Sequence, residues 1–128
     1  MAVSRDARIE RYLYAFDWDI EAIWALDLPV EDRLIDDLAW MLELPVWAGP
    51  NGPYSLSPME VLKGPKVHAA EYVRMARADT SHPIDIAFHL DRWVVLDGVH
   101  RLLKLYRDGA QLVRVRVVPP EALIPKRS

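Results

Sequence analysis

The run Val94-Val95-Leu96-Asp97-Gly98-Val99-His100-Arg101 decides how this chain folds. Three apolar residues stop at an Asp-Gly pair. Val99, Leu102, Leu103 and Tyr106 then recur at i, i+3, i+4 and i+7, the spacing of one helix face. A strand therefore turns directly into a helix that carries a histidine and an arginine in its first turn. Gly109 supplies the helix stop. Beyond it, residues 112–118 alternate, with Val113, Val115 and Val117 on one side and Arg114 and Arg116 on the other, which predicts a strand.

Upstream, Ile84, Ile86, Phe88 and Leu90 alternate with Asp85, Ala87 and His89. This predicts a half-buried strand, joined by turn residues Asp91-Arg92 to the strand at 93–96. Residues 66–78 place Ala69, Tyr72, Val73 and Ala76 on one face of a helix. The order helix, strand, strand, helix, strand predicts an α/β (α+β) domain, a mixed sheet flanked by helices. Residues 1–54 read as an acidic, mainly helical segment packed on the same domain, and residues 55–128 as its core. Within that segment Leu34, Ile35, Leu38, Met41 and Leu42 predict a helix over 31–44, with Asp32, Asp36 and Asp37 on its other face. Residues 48–53 read as a loop, and Trp18, Trp24, Trp40 and Trp47 as core.

The chain has 128 residues, 52% of them hydrophobic, enough for one domain with a core of its own. It has no cysteine, which excludes disulfides, thiolate zinc sites, Fe–S ligation and a cysteine nucleophile. No stretch approaches the roughly 18 apolar residues of a bilayer span, and residues 1–11 contain no apolar signal core, so the expectation is a cytoplasmic protein with no membrane partner. The net charge of -3 conceals an asymmetry. Residues 1–62 hold 12 acidic and 4 basic side chains, a net -8; residues 63–128 hold 7 and 12, a net +5. The basic half is a candidate for anions and the acidic half for a basic protein partner.

The strand–Asp-Gly–helix junction lies in the basic half. A helix start leaves backbone N–H groups unpaired, and Gly98 lets a phosphate approach them closely. Arg101 offers bidentate donors; His100 can donate, or act as acid or base. Two potential cations at the positive end of a helix cost a few tenths of a kcal/mol or more and call for a compensating anion. Lys104 and Arg107 extend the positive stripe, and His68, near the start of the preceding helix, is a candidate to face the same pocket. Asp97 has three open roles: helix cap, Mg²⁺ ligand together with a bound phosphate, or catalytic base. The plain alternative is an aspartate cap followed by a solvated first turn. No histidine spacing fits zinc, and neither a P-loop nor a Rossmann glycine pattern occurs. Ser81, His82 and Asp79 form a triad only on paper, being one short stretch of chain.

Asp97-Gly98-Val99-His100-Arg101 after an apolar strand, followed by an apolar helix, a glycine and a Val-rich strand, resembles the ParB/sulfiredoxin superfamily over roughly residues 55–120. Pro83-Ile84-Asp85-Ile86 and the helix holding His68 and Arg74 also suit it. Residues 1–54 resemble the leading segment of small bacterial ParB-like proteins. The resemblance implies a ParB/sulfiredoxin-like mixed sheet and a phosphate site at Gly98, Val99, His100 and Arg101. Sulfiredoxins bind ATP phosphates with Gly-Cys-His-Arg; here the reactive cysteine is Val99, which removes sulfinic acid reduction. ParB partition proteins use Gly-Glu-Arg-Arg for CTP, and here Val99 and His100 stand at the two middle positions. Their downstream helix-turn-helix domain has no room in this chain. Free serine kinases of this fold carry Asp-Gly-x-His-Arg, which Asp97 to Arg101 match in full; Glu60 and Glu71 are both candidates for the separate glutamate those enzymes use.

The resulting expectation is a protein that binds ATP or another nucleotide with Mg²⁺, for phosphotransfer or hydrolysis, with Asp97 and His100 as the catalytic candidates. The alternative is a nucleic-acid binder or nuclease that uses Lys66, Arg74, Arg77, Arg101, Lys104 and Arg107 as a phosphate track. A second alternative is a non-catalytic module that docks a protein through its acidic half.

Overall fold

The computed structural model describes residues 6–13 and 16–125. Its core is a four-stranded mixed sheet. Strand β1 (Phe16–Asp17) follows helix α1 (Ala7–Tyr12) and precedes helix α2 (Ile20–Trp24) and strand β2 (Val30–Leu34). Two 3-10 helices, Ile35–Asp37 and Ala39–Glu43, lead to a hairpin of β3 (Trp47–Gly49) and β4 (Gly52–Leu56). Helices α3 (Pro58–Lys63) and α4 (Ala69–Ala76) come next, then β5 (Ile84–His89), β6 (Arg92–Asp97), helix α5 (Val99–Arg107) and β7 (Leu112–Val117). A last strand, β8 (Ile124–Pro125), pairs with β1.

The sheet runs in the order β2-β7-β5-β6. The β5–β6 and β2–β7 pairs are antiparallel, and β5 runs parallel to β7. Helices α3, α4 and α5 pack together, and α5 packs against β5. On the opposite face, Arg116 donates to the carbonyl of Ile23 at 2.6 Å and the His89 ring meets Tyr12 and Phe16. Among the described residues no helix is long and apolar enough to cross a membrane.

The α+β class and the order of elements from α4 to β7 follow the sequence reading, but several local expectations do not. The helix expected over 31–44 is absent. Val30–Leu34 instead adds to the outer edge of β7, setting Asp32 opposite Arg114. The residues after it bury Ile35, Leu38, Met41 and Leu44, at a spacing of three, together with Leu42. Three residues per turn is the period of a 3-10 helix, and it was hidden inside a pattern that also fits an α-helix. The first half therefore contributes a strand of the main sheet, and the sheet is not confined to residues 55–128.

Strand β5 is not half-buried. Ile84, Asp85, Ile86 and Ala87 are all buried because β5 lies between β7 and β6 with elements on both faces, whereas Phe88 is 53% exposed. Its hairpin turns at Leu90-Asp91, one residue earlier than expected, because His89 pairs with Arg92 and Leu90 takes a positive φ of 59°. The supposed loop at 48–53 is the tip of the β3–β4 hairpin. Helix α4 starts at Ala69, after a turn, and not at Lys66. The tryptophans divide: Trp18, Trp40 and Trp47 pack partly buried against the core, while Trp24 is 56% exposed. Trp40 also guards the open edge of β6, donating to the carbonyl of Trp93 at 2.9 Å beside a contact from the Val95 amide to the Met41 sulfur.

Candidate functional site

The junction read from the sequence forms as a strand, one glycine and a helix. Near its end β6 holds an extra residue: Val95 lies opposite Ile86 and Asp97 opposite Asp85, so Leu96 is a bulge that re-aims Asp97. Gly98 follows with φ +113°, and a Cβ there would stand 3.2 Å from the Ile84 side chain and 3.3 Å from the Arg101 guanidinium carbon. Only glycine fits both the backbone and the space. Among the described residues no side chain caps the first amides of α5, which begin beside a cleft of about 770 Å³. Trp24, Trp47, Pro83, Asp97, His100 and Arg101 contribute to its walls.

Both basic side chains at the start of α5 find carboxylate partners within the protein. The His100 ring nitrogen shares a 2.9 Å hydrogen bond with a carboxylate oxygen of Glu71, on α4. The imidazole also stacks on the Trp47 indole, with centroids 4.3 Å apart and planes 16° from parallel. Arg101 turns inward, donating to the Pro83 carbonyl at 2.6 Å and to Asp97 Oδ2 at 3.1 Å. Glu71 and Asp97 are thus the compensating anions that the sequence argument sought in a ligand. Asp97 is not a helix cap: the same Oδ2 accepts from the Trp24 indole N–H at 2.8 Å. Two donors on one oxygen fix the orientation of the carboxylate beside the start of α5.

Beside Asp97 lies the one buried carboxylate in the cleft wall. Asp85 is 3% exposed, with Oδ1 3.2 Å from Arg116 Nε, an ion pair without hydrogen-bond alignment. Burial pushes its acidity above the ordinary carboxylate range; Arg116 opposes the shift and the neighbouring Asp97 adds to it. At the rim, Asp79 is held below its usual range by the Ser81 hydroxyl and amide. Its carboxylate accepts from the Ser81 hydroxyl at 2.6 Å and lies 3.5 Å from His82, so the serine bonds the carboxylate and not the imidazole, which is not the order of a triad.

Two sequence candidates lie elsewhere. Lys104 does not line the cleft; its ammonium donates to the carbonyls of Ala76 and Ala78 at 2.8 and 3.0 Å, closing the C-terminal end of α4. His68 is the residue before α4 and packs near Gly64, outside the cleft wall. Val99 lines the cleft as expected. Of the two glutamates, Glu60 is consumed in a capping box with Ser57 at the start of α3, and Glu71 is the one at the junction. Of the basic track, Arg101 and Lys104 bond internally, Arg74 pairs with Glu71, and Arg107 bonds Asp108 and Tyr72. Trp24, Trp47, Asp85 and Arg116 were not foreseen as site residues. The buried aspartate in an apolar strand and the arginine in a Val-rich strand were the available signals, and they become a pair only through the parallel register Asp85–Arg116.

The donor set does not suit a metal held by protein alone. Asp97 Oδ2 already accepts two hydrogen bonds, Asp85 is paired with Arg116, and among the described residues no group of three His, Asp or Glu side chains is placed around one point. No protein-family model matches the chain, and no curated protein matches it at a significant level.

Proposed function

We propose that this chain is a ParB/sulfiredoxin-like protein that binds the phosphate of a nucleotide at the start of α5 and uses the His100–Glu71 pair for acid–base chemistry there. The carrying observation is the helix start itself: uncapped amides behind an obligatory glycine, opening on a cleft of about 770 Å³. The β5–β6 hairpin, α5 and the parallel return to β7 support the family reading.

In this reading the amides of Val99, His100 and Arg101 and the dipole of α5 receive the phosphate. Arg101 buttresses the turn from below through Pro83 and Asp97, and is not a free clamp. Glu71 orients the imidazole and balances its charge when it takes a proton, while Trp47 fixes the ring plane. His100 can then accept a proton from an attacking hydroxyl or deliver one to a leaving oxygen. Asp97 is held between the Trp24 indole and Arg101, which fixes the strand side of the site. Phosphoryl transfer depends on positioning and electrostatics, which this arrangement supplies without a covalent intermediate.

Calorimetry with ATP, ADP, CTP and GTP, each with Mg²⁺, tests the proposal. Binding of at least one, lost when Gly98 is replaced by valine in a protein that still folds, is the expected result. Absence of binding by all four at millimolar concentration defeats it.

A further inference from the structure

A second cavity of about 390 Å³ adjoins the cleft. Trp47, Leu96 and Val99 line both, so the bulge residue, the first residue of α5 and one indole border the two spaces together. The other walls include Trp18, Met41, Val46 and Tyr54, with Asp17 the sole charged residue among those lining it. Apolar walls, aromatic side chains and a volume near the lower end of the range for small-molecule sites suit one ring.

Tyr54 adds a separate observation. It has φ +55°, the left-handed region that a bulky residue rarely adopts, although it lies in β4 with no glycine's freedom. Such strain persists where the surroundings over-determine it, and it gathers at ligand-binding sites. Here it turns a tyrosine into the wall of the second cavity. Trp47 links the two spaces chemically: one face stacks on His100, and the indole also lines the ring cavity.

Resting on the phosphate reading above, we propose that the ligand is a phosphate ester of a small aromatic compound, or the alcohol that accepts the phosphate. Its ring occupies the cavity of Trp18, Trp47 and Tyr54 while its oxygen reaches over Val99 to the start of α5. The apolar cavity is then the specificity determinant, and the amides of α5 supply only the anchor for the anion.

The experiment uses the full chain, tryptophan fluorescence and calorimetry, with inorganic phosphate, phenyl phosphate and benzyl alcohol as probes. Phenyl phosphate is expected to bind at least tenfold tighter than inorganic phosphate. Two variants remove the ring site: Val46→Trp fills it, and Tyr54→Gly takes away its wall while relieving the positive φ, so that at least the second folds. Both are expected to bring phenyl phosphate to within about twofold of inorganic phosphate and to leave phosphate binding itself unchanged. Equal affinities in the wild type, or a tenfold preference that survives both variants, overturn the ring site with the phosphate reading intact. Benzyl alcohol binding that both variants abolish, in a protein that binds no phosphate, upholds the ring site and removes the anchor. No binding of any probe overturns both.

Discussion

Replacing Gly98 with alanine separates two costs that the structure assigns to one position. The first is backbone: at φ +113° any L-residue is strained, by about 1–2 kcal/mol relative to glycine. The second is space. The new Cβ meets Ile84 Cγ1 at 3.2 Å, with Ile84 Cγ2 and Arg101 Cζ both at 3.3 Å. Neither neighbour yields easily. Ile84 is 1% exposed, and Arg101 is bonded at both ends of its guanidinium. Overpacking of this kind costs about 1–3 kcal/mol. Gly109 provides the control, with φ +79° and nothing within 4 Å of a Cβ, so Gly109→Ala carries only the backbone cost. Both substitutions equally reduce the freedom of the unfolded chain. Gly98→Ala is therefore expected to lose about 2–4 kcal/mol and Gly109→Ala about 1 kcal/mol. For a domain of this size that separates their melting midpoints by roughly 5–10 °C. Urea unfolding followed by tryptophan fluorescence and circular dichroism gives both free energies. Equal losses would show that the space around Gly98 is freer than the distances state, and the close approach of backbone to ligand would lose its basis.

Other outcomes test individual contacts. Glu71→Gln should leave nucleotide affinity within about threefold and slow turnover roughly a hundredfold, since a positioned acid–base group contributes on that order; unchanged turnover removes the pair from the chemistry. Lys104→Met should cost about 1–2 kcal/mol of stability, by uncapping the C-terminal end of α4, without altering nucleotide affinity, both read by denaturation and calorimetry. For Asp85, burial raises the folded-state pKa, so between the ordinary carboxylate pKa and that raised value the folded protein holds a proton the unfolded chain has lost. Its contribution is therefore fully present in acid and falls as pH rises through that window. The stability of Asp85→Asn relative to wild type should accordingly improve as pH rises; a difference independent of pH refutes the shift. For Asp91 the sign is opposite. The Tyr12 hydroxyl, 2.6 Å away, lowers its pKa, so Tyr12→Phe should remove stability that is present above the carboxylate range and already lost in acid.

What could be read in advance followed the range of the interactions involved. The turn at Gly98, the helix face of Leu102 and Leu103 and the alternation of Val113 and Val115 are local patterns, each written within a few residues. The destiny of residues 30–44 is not local. Val30–Leu34 is a strand because β7 offers it an edge, and no window of the sequence contains that edge. The same limit applies at the site. His100 and Arg101 are conspicuous by position, but of their partners only Asp97 lies within the motif; Glu71 is 29 residues away and Pro83, just before β5, is 18 residues away. The motif thus announced a charged helix start and one of its opposing charges without revealing the other. Trp47 was legible as a large apolar residue and illegible as the surface on which an imidazole lies.

The pairing of β2 with β7 has a consequence in time as well as in space. Residues 30–34 leave a ribosome some eighty positions before the strand that completes them, and Phe16–Asp17 waits still longer for Ile124–Pro125. Contacts closed over such distances make folding slow and leave early segments exposed while the remainder is made. Trp24, Trp47, Asp97 and Arg116 come from both sides of that delay. The cleft cannot mature piece by piece with the growing chain; it is assembled at the end, when the last strand of the sheet slides between its two neighbours.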